Sequence, residues 1–157
     1  MKRQNIINSI FIVIISLITL GSGCEKIVYR RSSIIVENNA VHDMNFYLAV
    51  GGDKGIIYPD TLPINLKPPF PVAKAGQNGY NYFGFSKEEL FKQLPSDTLS
   101  VFLIHPDTLA KYSWQEIIND YKVKRYDLSL GDLERLNFRV PYPPTQQMRG
   151  MKMYPRQ

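Results

Sequence analysis

The stretch that most restricts this 157-residue chain is "DTLSVFLIH", Asp97 to His105. A strand with one wet face alternates apolar and polar residues, and Val101, Phe102, Leu103 and Ile104 leave no position for water. Such a run is satisfied only when both faces are covered, which predicts a central strand of a sheet.

The segments around it supply partners. "SSIIVENNAVHDMNFYLAV" (Ser32 to Val50) reads as two strands about a polar turn, with β-branched residues in the first and aromatic and aliphatic ones in the second. "GGDKG" (Gly51 to Gly55) is a turn or loop. Pro63, Pro68, Pro69 and Pro71 fall close together and exclude a sheet interior, leaving an extended surface segment with an edge strand near Val72. "GYNYFGF" (Gly79 to Phe85) is a strand, "KVKRYDLS" a half-buried strand of open register, and "FRV" (Phe138 to Val140) a last strand. Three helices are marked by their caps: Ser86 with Glu89, Ser113 with Glu116 and Ser129 with Asp132, the third weakened by Gly131. The order predicts an α+β fold with a mostly antiparallel sheet and about three short helices. A β-sandwich with helices inserted between strands is the alternative.

The amino-terminal residues carry an address. Lys2 and Arg3 precede an apolar run from Ile6 to Leu20, which as a helix would span about 22 Å, short of a hydrocarbon core of about 30 Å. A basic start, a short apolar stretch and small residues after it are the layout of a secretory signal. Gly21, Ser22 and Gly23 then lead to Cys24, the single cysteine of the chain. This resembles the lipobox of bacterial lipoproteins, although Leu20 stands one residue further from the cysteine than the usual pattern places it. The resemblance implies cleavage between Gly23 and Cys24, lipid attachment at Cys24 and a membrane as the first partner. A thiolate is the nucleophile such a modification needs. With no second cysteine, the domain cannot be stapled by a disulfide and has to rely on packing.

The resulting division is a signal peptide over 1–23, a membrane-proximal tether over 24–32, one globular domain over 33–141 and a flexible tail over 142–157. Lys26, Arg30 and Arg31 lie in the tether, where each gains about 1 kcal/mol beside anionic head groups. The formal charge of +5 does not indicate nucleic acid. Lys2, Arg3, Arg149, Lys152 and Arg156 lie outside 24–141, which leaves 19 − 5 = 14 basic against 14 acidic residues, a net of zero.

Candidate chemistry is sparse. His42 and His105 are the only histidines; His42 precedes Asp43 in a turn, and His105 ends the central strand two residues before Asp107. A histidine beside an aspartate suggests an oriented base or half a metal site. No nucleophile elbow, zinc-binding helix or phosphate loop accompanies them. The three Asp-Thr-Leu triplets, at Asp60, Asp97 and Asp107, are read as caps of turns rather than calcium ligands. Tyr112, Trp114 and Tyr121 bracket the second helix and are expected in the core, with a ligand platform as the alternative. No cofactor is implied.

The span from Tyr58 to Leu133, "YPDTLP … DTLSVFLIHPDTLAKYSWQEIINDYKVKRYDLSLGDL", resembles small lipoproteins of Bacteroides-type gut bacteria. The resemblance implies a cell-envelope location, at the outer membrane, and carries over no activity. The expectation is a non-enzymatic binding or interaction module of the envelope. A hydrolase or metal-dependent enzyme using His42 or His105 is one alternative, and an inhibitor or immunity-type protein is another.

Overall fold

The computed structural model describes residues 32–50, 70–84, 86–94 and 97–155. The leader, Cys24, the "GGDKG" segment, Asp60 and the clustered prolines up to Pro69 lie outside them. Among the described residues the strands are β1 (Ser32–Asn38), β2 (Met44–Leu48), β3 (Val72–Ala73), β4 (Asn78–Phe83), β5 (Thr98–Ile104), β6 (Lys124–Ser129), β7 (Arg139–Tyr142) and β8 (Lys152–Tyr154). The helices are α1 (Lys87–Gln93), α2 (Pro106–Lys111), α3 (Trp114–Asn119) and α4 (Leu130–Arg135), with a single 3-10 turn at Gln146–Met148.

The expected α+β fold is the one that forms, with its mostly antiparallel strands divided between two open sheets. One has the order β4-β1-β7, the other β3-β2-β5-β6-β8. The β1–β7 pair is the parallel one. β5 occupies the middle of the larger sheet, and every residue from Leu99 to Ile104 is buried. Its residues divide by parity, as side chains on a strand must. Leu99, Val101 and Leu103 join Ile34, Val36, Phe83 and Val140 of the smaller sheet in one core, which α1 and α4 close with Leu90, Phe91 and Leu133. Phe102 and Ile104 point the other way, into a second cluster with Phe70, Ile117 and Val123 against which Trp114 packs. Each such side chain, fully buried, contributes about 1.5–3 kcal/mol.

The two sheets come close together at Gly79. A Cβ there would stand 2.3 Å from Cε1 of Phe46, so only glycine lets the β4 backbone lie against that ring. Two turns hand the chain from one sheet to the other. Lys74 to Gln77 closes with Gln77 N–H donating to Lys74 O (2.9 Å), and Gly76 takes the positive φ of +66° that this turn needs. The turn after β1 is tied to it: Asn38, buried, donates through Nδ2 to His42 O (2.7 Å) and Ala73 O (2.9 Å).

All three helix caps read from the sequence form as reciprocal capping boxes. Four expectations need correction. α2 was unforeseen, and its cap is not the Asp107 carboxylate but the imidazole of His105, with Pro106 in the first turn. β6 is not half-buried: Arg125 to Leu128 are all buried, because Arg125 and Asp127 pair with each other on the face opposite Tyr126 and Leu128. The strands form two sheets and not one. The expected flexible tail over 142–157 is, through its described residues 142–155, packed onto the domain. Tyr142 ends β7, Met148 and Met151 are in the main core, and β8 pairs with β6. Those two methionines fill space that the shorter domain, ending at 141, would leave open.

Candidate functional site

β5 ends at Ile104, and the chain turns at once into α2. His105 makes that turn possible: its Nδ1 accepts the Asp107 N–H (3.1 Å), satisfying one of the free donors of the helix start. In that bond Nδ1 uses its lone pair, so the neutral ring carries its proton on Nε2. The Asp107 carboxylate, 3.6 Å from Nδ1 and 91% exposed, is beyond hydrogen-bond reach. Asp107 therefore orients His105 through its main chain.

His42 arrives from the turn after β1. Its carbonyl is held by Asn38, as above, and its ring meets that of His105 at a centroid separation of 4.4 Å and a tilt of 55°. Its Nε2 is buried with no hydrogen-bond partner among the described residues. The neighbouring Asp43 turns away, accepting from Ala75 N–H (3.0 Å) and pairing with Lys74 (3.1 Å). Those bonds, first the one from the Ala75 main chain, hold its carboxyl below the ordinary 3.8. The structure thus brings His42 and His105 together, and among the described residues neither has a carboxylate within hydrogen-bond reach to orient it. Among the described residues no three His, Cys, Asp or Glu side chains gather as a metal would need.

Beside this histidine pair lies a cleft of about 270 Å³. Met44, Leu103 and Val123 give it an apolar floor, Tyr121 and Tyr142 its aromatic walls, and His105, Thr108, Lys122 and Lys124 its polar margin. The Tyr142 ring stands edge-on to His42 at 6.3 Å, and burial raises its phenol above the ordinary 10.0, keeping it neutral. The two lysines differ. Lys122 is held by Asp120 at 2.9 Å and lies over the Tyr112 ring at 4.5 Å. Lys124 lies 5.8 Å from the Tyr142 ring and has no carboxylate in reach among the described residues. A cation without an acid, at the mouth of an apolar slot, suits a small molecule with one negative group and an apolar body.

Asp97 takes a left-handed φ of 50°, a conformation aspartate tolerates in turns. Tyr112 and Trp114 join the second apolar cluster, as expected of core residues, and Trp114 meets Phe70 at 5.6 Å. Tyr121 packs against the same cluster and also lines the cleft. A second cavity of about 410 Å³ runs beside α1 and α4, lined by Phe91, Leu130, Lys92, Glu88 and Asp97; its charges are mixed, and Ser129 there is occupied as a helix cap. Sequence reasoning missed Lys124 and Tyr142. Neither carries a local signal, because one belongs to an ordinary alternating strand and the other to a proline-flanked strand end. Comparison with family models, curated proteins and solved structures finds no match to this chain.

Proposed function

We propose that this chain is a lipid-anchored protein of the cell envelope, fastened through Cys24 at the outer membrane. Its folded domain is a non-enzymatic binding module that receives a small anionic, partly apolar ligand in the cleft beside His105. Cys24 and the run before it support the anchor. The observation that carries the binding reading is Lys124, a cation in the lining of a mostly apolar cleft with no carboxylate in reach among the described residues. Buried or semi-buried charge without a partner is costly, and an incoming carboxylate removes that cost.

Titration calorimetry with phenylacetate and hexanoate, against the neutral 2-phenylethanol and 1-hexanol, tests the reading. Binding of the acids alone, lost in Lys124→Met and kept in Lys122→Met, is expected. Equal heats for acids and alcohols, or binding indifferent to Lys124, would refute it. Intact-mass analysis of Cys24 from native membranes tests the anchor separately.

The contact of His42 with His105 favours a second reading, acid–base chemistry at the same cleft, since two imidazoles so placed can pass a proton. A hydrolytic activity abolished by His105→Ala, with the fold retained, would replace the binding reading with this one.

A further inference from the structure

The smaller sheet presents one face to the core, and at its edge strand β4 the other face is exposed. On β4, Gly79 and Phe83 point inward, and Tyr80 and Tyr82 point out, 48% and 64% exposed. Their rings stack at 5.9 Å with only 6° between planes. Two large aromatic rings held parallel on a sheet surface form a flat, amphipathic patch, apolar across the faces and hydroxylated at the tips. Neither ring belongs to either apolar cluster of the described residues.

Strand register places this patch at the point where the tether enters the fold. β1 begins at Ser32, and the pairing sets Ser32 opposite Phe83, Ser33 opposite Tyr82 and Ile35 opposite Tyr80. Ile35 and Arg139 are neighbours on the same outer face, and Arg139 is neutralised by Glu37. The chain between Cys24 and Ser32 is 32 − 24 = 8 residues, which cannot reach beyond about 29 Å even fully extended. A domain leashed that closely to lipid must turn some face to the head groups, and the one beside the leash carries the two exposed tyrosines.

We infer that Tyr80 and Tyr82 form a lipid-contact face that seats the domain on the bilayer interface. The inference rests on the lipid-anchor reading above and goes beyond it, since an anchor alone does not orient what it holds. Tyrosine is enriched at membrane interfaces because its ring sits at head-group depth while its hydroxyl stays wet. The affinity of this face for lipid can be weak. Tethering makes contact intramolecular, and a short leash gives a high effective concentration of lipid. Lys26, Arg30 and Arg31 in the leash add attraction to anionic lipid. Seated this way, the domain has a fixed face toward the membrane instead of tumbling on its tether.

The test uses the acylated protein in nanodiscs of phosphatidylcholine and phosphatidylglycerol containing a head-group nitroxide lipid, read by NMR line broadening. The expected result is loss of signal at Tyr80, Tyr82 and Ile35 with Trp114 retained, and an even, weaker broadening over the surface in the Tyr80→Ser, Tyr82→Ser double variant. Uniform broadening in the wild-type protein overturns the inference irrespective of how the variant folds. So does broadening at β4 produced by a nitroxide-labelled second copy rather than by lipid, which would make β4 an edge for self-pairing. Intact mass of the protein taken from its native membranes separates the two readings. Acylated protein with uniform broadening sinks the lipid face alone, and an unmodified Cys24 sinks both.

Discussion

Two residues show how closely the core is filled. Tyr126 is buried in the main cluster, and its hydroxyl has no hydrogen-bond partner among the described residues. An unmade bond of that kind costs about 1–3 kcal/mol, so Tyr126→Phe is expected to hold or raise stability, by about 1 kcal/mol in urea unfolding. Burial also pushes the Tyr126 phenol well above its ordinary 10.0. As pH rises past that value the unfolded chain releases this proton first, so the native state loses stability; the phenylalanine variant should lack that part of the alkaline loss. A destabilised variant with an unchanged alkaline profile would show that the hydroxyl is satisfied. Gly79 makes the opposite case. Gly79→Ala drives a methyl into the Phe46 ring and within 3.0 Å of Ala73, an overpacking expected to cost about 1–3 kcal/mol. A melting temperature equal to wild type would mean that the sheets separate more easily than their contact suggests.

Between elements, polar groups decide what is joined to what. β6 and β8 are latched on the face away from the main core. Asp127 accepts from Ser100 (2.8 Å) and pairs with Arg125 (3.1 Å), the Tyr154 ring lies 4.3 Å from the Arg125 guanidinium, and Lys152 stands 3.7 Å from the same carboxylate. With both members of the inner pair buried, Asp127→Ala breaks a buried ion pair and the Ser100 bond together and is expected to cost about 3–5 kcal/mol in chemical denaturation. Indifference to that change would mean that the pair does not hold β6 in place. The turns between sheets carry a pH dependence. The carboxyl of Asp43, depressed by Ala75 and Lys74, adds stability that is whole above about 3.8, the unfolded value, and is lost as pH falls through the lower folded one. The stability difference between wild type and Asp43→Asn should therefore be constant near neutrality and close below pH 3.8.

At the scale of the whole molecule, the described fold is closed by its last strand, β8. Truncation after Thr145 removes Met148, Met151 and β8 together. Since each buried methionine is worth about 2–5 kcal/mol when deleted, the shortened protein should fail to unfold cooperatively by circular dichroism. A cooperative melt would return residues 146–157 to the status of an appendage. Much of this fold was legible beforehand where the signal is local. The uninterrupted apolar run of β5 demanded a central place and has it, and the Ser-x-x-Glu and Ser-x-x-Asp pairs marked three helix starts correctly because a cap is a contact between residues three apart. α2 could have been found from Pro106, an acid after it and Lys111 at its end. The C-terminal strand was not legible: "MKMY" is too short a run to mark a strand and becomes one by pairing with β6. Of the site, His105 stood out by its chemistry. Its contact with His42, 63 positions away, and the approach of Lys124 to Tyr142 could not be seen.

The order of residues alone settled whatever depends on neighbours within a turn or two, the caps and the buried strand, and a single cysteine settled the absence of any internal disulfide. Tertiary structure decided which strands share a sheet, which face of β6 hides a charge pair, and which tyrosines are core, cleft or surface. Pairing and burial are agreements between segments far apart in the chain, and no single segment carries the terms of such an agreement by itself.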